Sequence, residues 1–392
     1  MKKNENWNHY LSDNLEVPVT EFSEDLRKDQ VLLETGLFNN LMEGIMITDT
    51  SGIIKYINPA FRKITGYGNE ALGKTPKILK SGKHDLTFYK DLWSSVEEKG
   101  QWKGEIWNKK KNGEIYIQWS TITVVKDKNG NAIYYTAVIS DITERKQEEE
   151  KLLNDLVIAR EVQKGMLSQP ISDQNISIEG INQPSLFLGG DMYSWYKLDE
   201  NKYAVMLIDV MGHGVASSLV SMSIQSLLRG MIKKLIQPEL VFNELNKHVH
   251  TLYRNDNLKK KYYLTAFYAL IDTKERVIHY SSAGHPPGFF INRDGTVTEL
   301  NIGSVPIGLL PEIEVPTGKI DYEGKAKLIL YTDGLIENEQ KTMRESIDSL
   351  KSFIKKRQNL EMKELLSVIH NSFSEETTGM GDDISIVGAT IF

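Results

Sequence analysis

The sequence contains no cysteine among its 392 residues, and this absence excludes several kinds of chemistry at once. Disulfide bonds, zinc sites with thiolate ligands, iron–sulfur clusters and cysteine nucleophiles all require that side chain. A chain without disulfides fits a reducing compartment, so we expect a cytoplasmic protein.

An excess of positive charge is also missing. The chain has 47 Lys and Arg against 53 Asp and Glu, which gives a net charge of −6 and an isoelectric point near 5.9. Nucleic-acid binding needs clustered cations to contact phosphates. The basic runs at 109–111 and 259–261 lie in polar loops and are typical of solvated turns. We therefore expect no nucleic-acid partner.

Long apolar runs are absent as well. No segment approaches the roughly 18 consecutive apolar residues that span a bilayer. The N-terminal stretch "MKKNENWNHYLSDN" lacks the apolar centre of a signal peptide. The sequence therefore predicts no membrane association.

Residue patterns divide the chain into five segments. Those segments are a disordered tail at 1–20, an amphipathic helix at 21–42, a sensor domain at 36–145, a helical linker at 144–169 and a second domain at 170–392. In the sensor segment, two apolar runs flank "DTSG", and three aromatic and β-branched runs are separated by "KNGE" and "DKNGN". This order predicts a five-stranded antiparallel sheet with helices on one face.

The linker predicts one long helix that ends before Pro170. Its heptad-like apolar seam comprises Leu152, Leu156, Ala159, Gln163 and Met166. Such a seam favours a parallel coiled coil with a second copy of the chain. Packing of the seam against the protein's own domains is the alternative.

The second domain alternates strand-like runs with helical patterns near 214–236, 239–254 and 342–373. Strands outnumber helices, and no βαβ rhythm repeats. The pattern predicts an α+β fold in which helices cover sheets.

Four places in this domain put an aspartate beside glycine at the end of an apolar run. They are "LGGDMY" (Asp191), "LIDVMGHG" (Asp209), "LYTDGLIE" (Asp333) and "GMGDDISIV" (Asp382 and Asp383). A single such aspartate is typical of a turn. If the four converge, their charges repel, and a bound cation would offset that cost. All-oxygen ligands favour Mg²⁺ or Mn²⁺, and two such ions can activate water for hydrolysis of a phosphate ester.

The ordered series "GGD", "DVMGHG", "TAFYALID", "SSAGHPP", "VPIGL", "LILYTDGLIE" and "GDDISIV" resembles the bacterial PP2C-type serine phosphatases of the SpoIIE and RsbU class. The resemblance covers nearly all of 155–392. It implies an α/β/β/α sandwich with two Mn²⁺ or Mg²⁺ ions between the sheets. By motif, Asp209 bridges both ions and Val210 offers its carbonyl. Asp333 and Asp382 bind from other strands, and Asp191 lies close by, as a ligand through water or of a further ion.

Several features qualify this resemblance. Many relatives carry a second acidic residue three positions after the aspartate of "GGD", which is Asp191 here. This chain has Ser194 at that position. Asp382 is preferred over Asp383 because the first acid of "DDIS" matches the family's ligand position. His213 is interpreted as a hydrogen-bonded turn residue rather than a general acid, and His285 as a residue that fixes a turn. The linker and the helix after "MGHG" are similar to segments that transmit switching signals in sensor-coupled relatives.

The sensor segment resembles a PAS domain, through "GIMITDTSGIIKYINPAFRKITGY", "GEIWNKKKNGEIYIQW" and "YYTAVISDITERK". PAS domains bind small ligands or cofactors, or dimerise. Cysteinyl-flavin photochemistry is excluded because the chain has no thiol. The only histidine in the segment, His84, lies in a polar turn that favours a surface role over haem ligation. A non-covalent flavin, another small ligand and an empty domain stay open.

The resemblances together predict a sensor-regulated phosphatase acting on phosphoserine or phosphothreonine. The implied substrate is a small STAS-domain anti-anti-sigma protein, and the implied assembly is a homodimer through the PAS domain and the linker. A metal-dependent phosphodiesterase using the same carboxylates is one alternative. A non-catalytic dimeric sensor scaffold is another.

Overall fold

The computed structural model describes residues 36, 38–252, 262–337, 340–374 and 381–392. The tail predicted at 1–20 lies outside the described residues, as does most of the helix predicted at 21–42, of which 36 and 38–40 are helical. The chain forms two compact units, Met1–Lys151 and Leu152–Phe392.

The first unit is built on one antiparallel sheet, as predicted. Its elements are β1 (Gly44–Asp49), β2 (Ile54–Ile57), α1 (Pro59–Thr65), 3-10 turns at Asn69–Ala71 and Pro76–Leu79, α2 (Leu86–Lys99), β3 (Gln101–Lys109), β4 (Ile115–Lys126) and β5 (Ala132–Asp141). The strand order is β2-β1-β5-β4-β3. Both predicted hairpin turns are present, with Gly113 and Gly130 at positive φ, a conformation that glycine adopts without steric cost.

The linker is helix α3 (Thr143–Met166), which begins in the first unit and ends in the second. Its predicted seam does not form one continuous exposed stripe. Gln163 is buried, and Met166 packs against the core of the second unit. The C-terminal end of α3 therefore packs against the protein's own second unit, which was the alternative to a coiled coil. Exposed apolar side chains occupy the preceding turns: Leu152, Leu153, Val157, Ile158 and Val162.

In the ranges that the structure describes, the second unit contains two six-stranded sheets. Its strands are β6 (Ile171–Ser172), β7 (Ile176–Gln183), β8 (Met192–Lys197), β9 (Lys202–Val210), β10 (Leu264–Asp272), β11 (Val277–Ala283), β12 (Gly288–Ile291), β13 (Val297–Leu300), β14 (Gly303–Ser304), β15 (Gly318–Asp321), β16 (Ala326–Tyr331) and β17 (Ile384–Ile391). One sheet has the order β14-β11-β10-β9-β8, with β15 on β11. The other has the order β13-β12-β16-β17-β7-β6.

Four helices complete the described part of the second unit: α4 (Val215–Leu235), α5 (Pro238–Leu252), α6 (Met343–Arg357) and α7 (Met362–Ser374). A hydrophobic core, formed by side chains from both sheets, lies between the two sheets. Helices α4 and α5 pack on the β8–β11 sheet, and α6 and α7 pack on the other. The predicted α/β/β/α sandwich is therefore confirmed.

Helix α4 alone, among the described residues, is long and apolar enough to cross a membrane by length and composition. Of its most apolar 18-residue stretch, 44% is buried inside the unit. Its inner face carries Ile224, Leu228 and Ile232 of the helix–sheet core. This is the composition expected of a core helix that also covers a sheet.

Candidate metal centre

The candidate site lies where strand ends of the two sheets meet. Asp209 is the penultimate residue of β9, and Asp191 directly precedes β8. Since Met192 pairs with Ile208, the antiparallel register sets Asp191 next to Asp209. Asp333 follows β16 in a 3-10 turn.

A hydrogen bond joins the two sheets at this point. The Thr332 hydroxyl donates to Asp191 Oδ2 at 2.7 Å, although the residues are 141 positions apart. The Ser385 amide of β17 donates to the same Thr332 oxygen at 2.9 Å. Thr332 therefore fixes the Asp191 carboxylate relative to the second sheet.

The two neighbouring acids of "GDDIS" have different surroundings. Asp383 is 3% exposed; its Oδ1 accepts from the Ser185 amide at 2.7 Å, and its Oδ2 accepts from the Gly190 amide at 2.6 Å. Both of its oxygens thus anchor the 185–190 loop. Asp382 is half-buried, and among the described residues its carboxylate accepts one hydrogen bond, from the Asp383 amide at 2.8 Å. This division supports Asp382 rather than Asp383 as the ligand.

The carboxylates of the site raise one another's pKa. Burial raises the pKa of Asp209 to about 8, and the charges of Asp333 and Asp382 add to that rise. Burial raises the pKa of Asp191 well above its usual range, with further increases from Asp209 and Asp383. Burial and the charge of Asp382 also raise the pKa of Asp333. The acids are thus close enough to repel one another in a poorly solvated place.

The backbone of Val210 lies against the loop that carries Asp191. A Cβ atom at Gly190 would stand 2.6 Å from the Val210 carbonyl oxygen and 3.1 Å from that of Gly212. Only a glycine permits this approach of the two backbones. The position of the Val210 carbonyl, predicted as a ligand, therefore depends on Gly190.

Sequence reasoning missed the side chain that holds Asp209. Thr265 stands directly opposite Asp209 in the β9–β10 ladder, and its hydroxyl donates to Asp209 Oδ2 at 3.3 Å. His285 Nδ1 lies 2.8 Å from the same hydroxyl. When Asp209 is ionised and accepts the single proton of the Thr265 hydroxyl, His285 Nδ1 is the donor to that hydroxyl. The "TAFYALID" motif contained this threonine, but its role needed the strand register.

The two histidines near the site differ in their surroundings. The backbone amide of His285 donates to the Ser282 hydroxyl at 3.2 Å, and its ring contacts Thr265. The turn role predicted for the side chain stays a prediction. Burial lowers its pKa to about 3, which keeps the ring neutral. His213 is exposed, and within the described part of the chain it makes none of the side-chain hydrogen bonds that its interpretation as a turn residue required. Ser194, where relatives carry an acid, is buried in β8.

The donor set fits divalent cations that keep part of their water. Within the described ranges, no three His, Asp or Glu side chains lie close enough together to hold an ion by themselves. Mg²⁺ usually retains several waters and takes one or two carboxylates, so its site does not need three acids on a single ion. Crowded, desolvated carboxylates and a backbone carbonyl are the oxygen ligands that Mg²⁺ and Mn²⁺ prefer.

The end of the linker helix reaches this site within the second unit. Gln163 donates from Nε2 to the Gly189 carbonyl at 2.7 Å, and its Oε1 accepts from the Gly189 amide at 3.3 Å. Gly189 directly precedes Gly190, which Asp383 holds. The α3 helix is thereby connected to the loop that carries Asp191.

His84 makes its contacts within the first unit. The Nε2 atom of His84 accepts from the Trp107 amide at 2.8 Å, and the ring stacks on Phe88 with centroids 3.8 Å apart. That nitrogen is already occupied, which argues against haem ligation by His84.

Comparisons with known proteins agree with this architecture. Residues 199–392 match the family model of stage II sporulation protein E (SpoIIE), and residues 42–144 match a PAS domain model. The chain is 37% identical to the phosphoserine phosphatase RsbP of Bacillus subtilis (strain 168) over 183 residues, which is 47% of this chain and 45% of that protein. It is 25% identical to the phosphoserine phosphatase RsbU of the same organism over 191 residues, 48% of this chain and 55% of that protein.

The chain spans about half the length of these curated relatives. Among solved structures, the SiaA-PP2C domain of Pseudomonas aeruginosa matches with a TM-score of 0.50 at 17% identity, over 62% of this chain and 98% of that domain. At this identity the match concerns the fold. The chain therefore joins a unit that matches the PAS domain model to a unit that matches the SpoIIE family model and has the PP2C-type fold.

Proposed function

We propose that this protein is cytoplasmic and that its PP2C-type domain is a metal-dependent phosphatase. The domain hydrolyses phosphoserine or phosphothreonine in a protein substrate. The observation that carries this proposal is the group of desolvated carboxylates on Asp191, Asp209 and Asp333, whose charges raise one another's pKa. A site that crowds negative charge in this way is stabilised by bound cations. A metal-assisted reaction also needs no protein nucleophile, which suits a chain without cysteine.

The residue roles follow from position. Asp209 and the Val210 carbonyl would hold two Mn²⁺ or Mg²⁺ ions from one sheet, and Asp333 and Asp382 would hold them from the other. Asp191, which Thr332 fixes, would act through water or on a further ion. When bound, the ions supply positive charge for the phosphoryl oxygens and lower the pKa of the attacking water.

The proposed substrate is the phosphorylated form of a small STAS-domain anti-anti-sigma protein in a partner-switching pathway. Support comes from the family resemblance and from the two relatives named as phosphoserine phosphatases. The PAS domain would control the activity through α3. A homodimer would use the PAS domain together with the exposed apolar side chains of α3, Leu153, Val157 and Val162 among them.

Asp209→Asn tests the proposed activity. Removing the Asp209 charge should lower Mn²⁺-dependent release of phosphate from a phosphoserine protein by about a hundredfold to a thousandfold, in line with losses from other groups that stabilise a transition state. Asp383→Asn is not a suitable control because Asp383 anchors the loop, so Asp321→Asn, at an exposed strand end, serves instead. Turnover of Asp209→Asn near that of the wild type would contradict the assignment. Cleavage of a diester in preference to the phosphoprotein would favour a phosphodiesterase, and no turnover of either would favour a scaffold.

Gln163→Leu tests the proposed control through α3. Without its two hydrogen bonds, Gly189 loses its anchor, so we expect a several-fold rise in the Mn²⁺ concentration that gives half-maximal activity. The control is Gln147→Leu, an exposed position on the same helix. An unchanged Mn²⁺ requirement in a folded Gln163→Leu protein would contradict control by this route.

A further inference from the structure

A cleft of about 520 Å³ lies within the second unit, between the end of α3, strand β8 and helix α4. This volume falls within the range of about 300–1,000 Å³ that is typical of small-molecule sites. The described residues that line the cleft include none of the aspartates of the candidate metal centre. Part of its wall is apolar, through Met166, Leu167, Ile171, Trp195 and Tyr196. The cleft is therefore a candidate binding site separate from the metal centre.

Gln225 of α4 brings an unpaired acceptor to the wall of this cleft. The residue is 5% exposed. Its Nε2 donates to the carbonyl of Met166, the last residue of α3, at 3.3 Å, which fixes how the amide is oriented. Among the described residues, the Oε1 atom of Gln225 is buried and has no hydrogen-bond partner. A buried acceptor in this state costs free energy, which a ligand that donates to it would recover.

The end of α3 adds negative partial charge on the same side of the cleft. The last carbonyls of a helix have no partners within the helix, and they form the negative end of its dipole. Gly165 and Met166, at this end of α3, line the cleft. An ammonium group brings a positive charge and three protons to donate. This side of the cleft therefore favours an ammonium group over a neutral hydroxyl.

Arg229, one helical turn after Gln225 on α4, has the opposite requirement. It is the one charged side chain in the described part of the lining, and no carboxylate of the described residues forms an ion pair with it. Burial raises the pKa of Tyr196 in the cleft wall, and the positive charge of Arg229 acts against that rise, so the guanidinium lies near this ring. Because residues four apart on a helix are neighbours, at about 5–6 Å, one small molecule can reach both Gln225 and Arg229.

We propose that this cleft binds a free α-amino acid with an apolar side chain. The ammonium group donates to Gln225 Oε1 beside the end of α3, and the carboxylate pairs with Arg229. The ligand's side chain packs against Ile171 and Tyr196, which are both partly exposed. An α-amino acid is a small molecule that carries all three of these groups on one carbon. This binding does not depend on the phosphatase activity proposed above.

The first test uses titration calorimetry of the full chain with L-leucine and L-phenylalanine. We expect at least one of them to bind with a Kd of about 1 mM or lower, an affinity within the reach of a ligand of this size. The N-acetyl derivatives lack the ammonium group and should bind at least about tenfold more weakly, because a charge-assisted hydrogen bond to a buried acceptor is lost. The carboxamide derivatives lack the carboxylate and should bind several-fold more weakly at low salt.

Two results of this titration would overturn the proposal. One is failure of both amino acids to bind. The other is equal affinity for an amino acid and its N-acetyl derivative, which would show a site for an anion only.

Protein variants locate the binding in this cleft. Arg229→Gln should lower the affinity for the amino acid several-fold at low salt and leave the affinity for its carboxamide unchanged. The matched control is Lys234→Gln, an exposed lysine of the same helix that does not line the cleft, and it should bind both ligands as the wild type does.

Gln225→Met tests the other contact. It removes the acceptor while keeping the length of the side chain, so the amino acid should bind at least about tenfold more weakly. The N-acetyl derivative should bind to this variant as it does to the wild type. Because Arg229 is exposed, Arg229→Gln keeps the test decisive if Gln225→Met fails to fold. Wild-type affinity for the amino acid in Arg229→Gln, or in folded Gln225→Met, would overturn the assigned site.

Discussion

The two units bury polar side chains in opposite ways. In the PAS unit, Asn108, Tyr116 and Gln118 are neutral and satisfy one another through hydrogen bonds. In the PP2C-type unit, burial raises the pKa of the Asp191 and Asp209 carboxyls, and the charges of neighbouring acids raise it further. Neutral groups can stabilise a fold as they stand. Crowded carboxylates destabilise it until protons or cations arrive, so they mark a site of chemistry.

The largest expected effect is the response of the metal-free protein to pH. The pKa of Asp209 is raised from an ordinary 3.8 to about 8 in the folded state, so the folded state holds its proton more tightly than the unfolded chain. The free energy of unfolding should therefore fall as pH rises from about 4 to 8. Urea denaturation between pH 5 and 9 measures this.

Two comparisons isolate the contribution of Asp209. Asp209→Asn should be more stable than the metal-free wild type at pH 8 and should show a flatter pH dependence. Mn²⁺ should reverse the wild-type trend, because carboxylate ligands bind metal when deprotonated. Stability of the metal-free protein that rises steadily from pH 5 to 8 would contradict crowding of these charges.

The loss of Mn²⁺ affinity in Thr265→Val should be the next largest effect. It removes the hydroxyl that donates to Asp209, and loss of a partner that orients a ligand typically lowers metal affinity about 10–100-fold. Titration calorimetry with Mn²⁺ measures this directly. Thr265→Ser should retain the affinity, and His285→Asn should lose less than His285→Phe because an amide can still donate to Thr265. Wild-type affinity in Thr265→Val would exclude this positioning role.

Gly190→Ala should have an intermediate effect. The new Cβ would meet the Val210 carbonyl oxygen at 2.6 Å, and such overpacking costs about 1–3 kcal/mol. Mn²⁺ affinity should fall together with stability. Gly230→Ala on α4 is the control, since its Cβ would meet nothing within 4 Å, and it should stabilise the helix by up to about 1 kcal/mol. Equal behaviour of the two variants would show that the Gly190 contact relaxes freely.

Tyr116→Phe should have the smallest effect on stability. It tests the neutral hydrogen bonds of the PAS unit. It removes one neutral hydrogen bond to Gln118, which is worth about 0.5–1.5 kcal/mol. Chemical denaturation measures the loss, with the exposed Tyr134→Phe as control. If the stability of the PAS unit changed between pH 5 and 8 as much as that of the PP2C-type unit, the hydrogen-bond network of the PAS unit would not be neutral.

The local features were predictable because they depend on neighbours in sequence. The "KNGE" and "DKNGN" turns, the five-stranded sheet and the helices after Gly214 all follow from residue type and periodicity. The α3 seam was less predictable, since Gln163 was placed with the apolar residues of a dimer face. Its side chain instead bonds to Gly189, a partner 26 residues away that the heptad pattern does not contain.

Residue types alone set the composition of the site: aspartates at strand ends, glycines beside them and no thiol. Only the tertiary structure decided how these side chains divide their roles. Asp382 and Asp383 are identical in type and adjacent in sequence, yet Asp383 is committed to the amides of the 185–190 loop. Thr265 and Thr332 gained their roles through strand register and a contact between sheets. The physical reason is that hydrogen bonds depend on distance in space, and residues 56 or 141 positions apart become neighbours only when the strands pair and the sheets pack.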